Sequence, residues 1–126
     1  MSTKAAEAAT EFARQLRRAR RAKDLSLKKL AGMMGCSISS VSQIERGLSG
    51  VPRFSEVLRF ARILQPEAGT EELLTKAAEG RQSIEIDLVG ASPEAIELCV
   101  KLARAVQEGL DPSLASKLSK AMKIAS

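Results

Sequence analysis

The stretch Leu25–Gly47, LSLKKLAGMMGCSISSVSQIERG, constrains this chain more than any other. It reads as two short helices joined by a tight turn. Leu30 and Ala31 sit on a short amphipathic segment, Gly35 interrupts it, and Val41 and Ile44 return as an apolar pair. Each residue type has a physical reason. Ala31 is small where two helices cross at roughly 90–120°, and Gly35 can take the left-handed backbone that a tight turn demands. Cys36 falls at an apolar position of the pattern and is expected to be buried between the two segments. The plainer alternative for the same spacing is an ordinary buried helical hairpin.

Composition narrows what such a chain can do. Its 126 residues suffice for one compact domain with a modest core, or a small domain plus an appendage. The sequence has no His, Trp or Tyr. That removes the commonest general base, the commonest zinc ligand and most stacking surfaces for single-stranded nucleic acid, so neither an enzyme, a metal site nor a cofactor is expected. Cys36 and Cys99 are far apart and lack the paired spacing of metal or redox work; both read as small buried hydrophobes in a reducing compartment. With no long apolar run and no secretory pattern, a cytoplasmic protein without membrane association is expected.

The net charge is +5, unevenly spread. Residues 1–65 hold 13 Lys and Arg against 5 Asp and Glu, a balance of +8, and residues 66–126 hold 7 against 10, a balance of −3. A basic front half carrying the motif suggests a nucleic-acid face, and an acidic back half suggests a protein-facing or solvated remainder.

From about Phe12 to Leu64 the sequence resembles the Cro and lambda-repressor family, also called the Xre family, of helix-turn-helix DNA-binding proteins. The matching features are Leu25 ahead of the first motif helix, the Gly35 turn, the Glu45-Arg46-Gly47 exit, and Pro52-Arg53-Phe54 opening the next helix. The resemblance implies a mainly α fold with a five-helix lambda-repressor-like DNA-binding domain.

Periodicity along the chain is consistent with that architecture. A first helix over about Glu7–Lys23 places Phe12, Leu16, Ala19 and Arg20 in one sector, with Arg14, Arg17, Arg18 and Arg21 opposite. Further helices are predicted over Leu27–Met34, Ile38–Arg46, Arg53–Leu64, with Val57, Leu58, Ala61 and Leu64 inward, and Glu67–Glu79, with Pro66 at its start and Leu73, Leu74, Ala77 and Ala78 as its stripe. Gly80 reads as a helix stop. Ser83–Val89, SIEIDLV, alternates Ile84, Ile86 and Leu88 with Glu85 and Asp87, which predicts one short strand. Two C-terminal helices follow, one opened by Ser92 and Pro93 and running to about Glu108, the other opened by Asp111 and Pro112. The expected organisation is a DNA-binding domain over 7–80 and a strand-plus-helices dimerisation or interaction region over 81–126.

On the helix Ile38–Arg46, Val41 and Ile44 define the buried direction, so Ser39, Ser42, Gln43 and Arg46 face outward with Ile38 on the margin. Gln43 can pair bidentately with adenine, serines can bond several base edges, and Ile38 can meet a thymine methyl. The resemblance places the positions of Ile38, Ser39, Ser42 and Gln43 in the major groove, although Ile38 departs from the polar residue often found there. Lys28 and Lys29 occupy the first turn of the preceding helix, which Ser26 should cap, against the preference of the helix dipole. If that end faces DNA, as the resemblance implies, the lysines neutralise phosphates; otherwise they are two solvated lysines. Arg46 is a candidate for the DNA backbone. The resemblance puts Arg53 into or beside a narrow minor groove, with phosphate contact as the alternative. Arg20, on the core-side sector of the first helix, and Glu45, at the edge of the buried sector of the recognition helix, match the family's structural ion pair.

These readings predict a sequence-specific regulator of transcription that binds double-stranded DNA, in the form of a dimeric repressor on a palindromic operator, with Ile84, Ile86 and Leu88 at the dimer interface. The alternative is an antitoxin-like regulator whose C-terminal half binds a partner protein.

Overall fold

The computed structural model describes residues 3–122. The four residues 123–126, assigned above to the C-terminal region, lie outside the described residues. Seven helices follow one another in the order α1 (Thr3–Ala22), α2 (Leu27–Met34), α3 (Ile38–Glu45), α4 (Phe54–Leu64), α5 (Thr70–Arg81), α6 (Pro93–Gln107) and α7 (Pro112–Ala121). The chain divides between Ile86 and Asp87 into two compact units.

The first unit is built on α1, which packs along α5, while α4 closes against α5 and α2 lies against α3. Its core gathers Phe12, Leu16, Leu30, Val41, Val57, Phe60, Leu64 and Leu73, each with its side chain withdrawn from solvent. The positions follow helical periodicity: on α1 the buried set Ala5, Ala8, Phe12, Leu16, Ala19 repeats every three or four residues. On α4, Phe60 takes the core place expected of Leu58, which is only half-buried. At 100° per residue Phe60 falls on the edge of the sector shared by Val57, Ala61 and Leu64, and Leu58 lies further off it on the other side.

The turn between α2 and α3 is set by backbone geometry. Gly35 has φ of 71° and donates to Gly32 O, while Cys36 N donates to Ala31 O at 3.0 Å. This pairing satisfies the last carbonyls of α2 and requires a left-handed residue at its centre, where glycine carries no Cβ penalty. One consequence corrects the expectation for Cys36: its backbone closes the turn, its side chain is left outside, and the thiol is exposed. Cys99 is partly buried rather than fully so.

Helix α5 begins at Thr70, three residues after the expected Glu67, because Pro66 to Gly69 form a turn closed by Gly69 N to Pro66 O at 2.9 Å. The helix also runs through Gly80 and ends one residue later. Gly80 is therefore no helix stop. A Cβ there would fall 2.9 Å from Ala9 Cα and N, so its small size lets α1 and α5 approach closely.

The strand expected at Ser83–Val89 is not formed, and the described residues contain helices without any strand. The segment is irregular and exposes Ile84, Ile86 and Leu88. Local bonds work against extension: Asp87 Oδ1 accepts from Val89 N at 2.9 Å, and Ala91 N donates to Leu88 O across Gly90. A run of seven residues with no neighbour to receive its N–H and C=O groups has no ladder to hold it straight.

The second unit consists of α6 and α7. Ser92 caps α6 by accepting from Ala95 N, Asp111 caps α7 by accepting from Leu114 N, and both helices open on proline. Neither helix contains a buried residue. Among the described residues no helix is long and apolar enough to cross a membrane.

Candidate nucleic-acid interface

Helix α3 is attached along one side by Val41, Glu45 and the partly buried Ile44, which packs against the core. Val41 is fully buried, and Glu45 is the buried charged residue of the first unit. Glu45 is held by a fork of two bonds from Arg20 of α1, Nε to Oε2 at 2.7 Å and Nη2 to Oε1 at 3.0 Å, while Arg20 Nη1 donates to Leu25 O at 2.7 Å. The two side chains retain 11% and 4% of their exposure. The carboxylate is thus matched by two charge-assisted bonds, and the guanidinium ties α1, the entrance of α2 and the last turn of α3 together.

With that side fixed, the other faces solvent. Ile38, Ser39, Gln43 and Arg46 are exposed and Ser42 is half-buried. Gln43 Nε2 lies 3.3 Å from Ser39 Oγ, one turn earlier, so the two polar side chains form one adjacent set of donors and acceptors. Ser37 caps α3, its Oγ accepting from Ser40 N at 3.0 Å and lying 2.8 Å from Ser40 Oγ.

Helix α2 is capped by Ser26, whose Oγ accepts from Lys29 N at 3.0 Å. Lys28 and Lys29 are exposed in this first turn, with no acidic side chain in ion-pair range among the described residues. Arg46, at the end of α3, is likewise exposed and unpaired among them. Arg53 differs. It is the N-cap of α4, offers no side-chain cap bond, and its Nη1 lies 3.6 Å from Glu85 Oε2.

Two further arginines, neither singled out by the sequence reading, support this surface. Arg59 of α4 donates from Nη2 to Met34 O at 2.8 Å, capping α2 from outside. Arg81 of α5 donates from Nη1 to Val51 O at 2.8 Å, anchoring the loop that leads from α3 into Arg53. Both bonds run to main-chain oxygens far along the chain, which leaves no mark in periodicity; an arginine on an otherwise apolar helix flank is the only visible hint. Ile84, Ile86 and Leu88 are exposed. No group of three or more His, Cys, Asp or Glu side chains that could hold a metal ion occurs among the described residues.

Comparison with known proteins places this geometry. Residues 11–74 match the family described as a helix-turn-helix domain, a span running from α1 into α5. The chain is also similar to an uncharacterized HTH-type transcriptional regulator, RghRB, of Bacillus subtilis (strain 168), at 33% identity over 58% of this chain. The alignment takes in 60% of that relative's length. No solved structure matches.

Proposed function

This chain belongs to the helix-turn-helix domain family, and from that premise we propose that it is a sequence-specific transcriptional regulator that binds double-stranded DNA, acting as a dimeric repressor on a palindromic operator. The observation that carries the reading is the two-sided construction of α3. One side is clamped by Val41 and the Arg20–Glu45 fork, and the other presents Ile38, Ser39, Ser42 and Gln43 for base edges. Lys28, Lys29, Arg46 and Arg53 flank it as cations for phosphate or, for Arg53, a narrow minor groove. The similarity to a regulator of the same motif supports the same role.

Self-association is supported by the second unit. Helices α6 and α7 leave Leu98, Val100, Leu102, Val106, Leu114 and Leu118 between 43% and 59% exposed. Leu98, Leu102 and Val106 share one sector of α6 and Leu114 and Leu118 one sector of α7, and neither helix has a buried residue, so these apolar side chains have no cover within the described residues. A second copy is the occupant that also gives a two-fold DNA site. A partner protein on the same helices is the antitoxin-like alternative.

Selection of bound duplexes from a random pool tests the reading. The expected product is an inverted repeat with half-site centres about 10 bp, or one helical turn, apart. A pool that stays random after selection overturns it. Sedimentation of Leu102→Asp tests the dimer: wild type at twice the monomer mass and the variant at one is expected, and a wild-type monomer favours the partner protein.

A further inference from the structure

We infer that Glu85, steered by Arg81, occupies the place of a DNA phosphate at Arg53 and thereby sets the strength of DNA binding. The inference rests on the proposed placement of Arg53 against DNA.

Three groups make the arrangement. Arg81 leaves the last turn of α5 with one guanidinium nitrogen donating to Val51 O at 2.8 Å, two residues before Arg53. Its other terminal nitrogen, Nη2, lies 3.3 Å from Glu85 Oε1. The second oxygen of the same carboxylate, Oε2, lies 3.6 Å from Arg53 Nη1. A backbone-anchored arginine therefore aims a carboxylate at the arginine that opens α4. The two acidic residues of the irregular segment have separate jobs, since Asp87 is turned to its own backbone at Val89 N.

Arg53 keeps 67% of its side-chain exposure and Glu85 52%, so the contact is open to solvent and a competing anion can enter. A phosphate offers the guanidinium the same kind of paired oxygen acceptors that Glu85 offers. Binding to DNA then exchanges one partner of Arg53 for the other. An exposed ion pair is weak, so the exchange modulates affinity without blocking it, by about two- to fivefold.

The test is a double-mutant cycle on the full chain with Glu85→Gln, Arg53→Ala and the pair, measured on a selected operator duplex and a scrambled duplex of the same length across a salt series. Glu85→Gln is expected to tighten binding about two- to fivefold on both duplexes and to steepen the salt dependence by up to about one ion. In the Arg53→Ala background the same change should have no effect. Equal binding by Glu85→Gln and wild type overturns the inference, as does a gain that persists without Arg53, which would be diffuse charge rather than competition. Wild-type protein that ignores duplex DNA overturns the functional reading itself, and wild type that binds while Arg53→Ala binds equally removes Arg53 from the interface and this inference with it.

Discussion

Gly80 of α5 meets the main chain of Ala9 on α1 with no space for a methyl group, since a Cβ would lie 2.9 Å from both Ala9 Cα and N. The obstacle is backbone, which cannot swing aside as a flexible side chain would. Gly80→Ala should therefore destabilise the first unit by about 1–3 kcal/mol, through separation of α1 from α5. A denaturant titration decides this; an unchanged midpoint would mean that the crossing has slack.

Removing either partner of the Arg20–Glu45 fork strands a charge that is nearly withdrawn from water. Arg20→Ala and Glu45→Ala should each cost about 3–5 kcal/mol. Because the two act on one contact, the double variant should lose clearly less than the sum of the singles. Thermal melts provide the measurement. Variants that melt like wild type and fail only on DNA would give the pair a role in binding instead of architecture.

Gln43→Ala should weaken operator binding by about 1–3 kcal/mol and leave binding to scrambled duplex nearly unchanged, because a base-edge contact is lost and no phosphate contact is. The side chain is exposed and, among the described residues, bonds to Ser39 alone, so the fold should be unaffected. Equal loss on both duplexes would take Gln43 out of sequence reading.

Lys28→Ala combined with Lys29→Ala should have opposite effects on fold and binding. Removing cations from the first turn of α2 should raise stability by a few tenths of a kcal/mol. Binding to any duplex should weaken, and its salt slope should flatten by roughly one to two. An unchanged slope would return both lysines to the solvated surface.

What the sequence revealed depended on how local the cause was. Helices α2 and α3 were legible to within a residue, since Ser26 and Gly35 act on neighbours three or four positions away. The buried sector of α1, Arg20 included, follows from periodicity alone. Gly80 was misread because its reason lies at Ala9, across the fold. Cys36 was misread because an apolar position in a pattern says nothing of a turn in which the backbone does the bonding. Ser83–Val89 shows the limit of alternation: Glu85 answers to Arg81 and, across the fold, to Arg53, and Asp87 to Val89, so its polar positions had partners of their own and were no sign of a solvent-facing strand edge.

Of the eight residues of α3, only Val41 and Glu45 are buried. The attachment of the helix and its outward chemistry are therefore carried by different side chains. Exposed substitutions away from caps and cores usually change stability by less than about 0.5 kcal/mol. Exchanges at Ile38, Ser39 and Gln43 are thus nearly free of folding consequences, and under the proposed function descendants of this chain would drift to new DNA addresses one substitution at a time while the scaffold behind them stays the same. On the same proposal, grafting another outward set onto Val41, Ile44 and Glu45 should retarget the protein without redesign of its core.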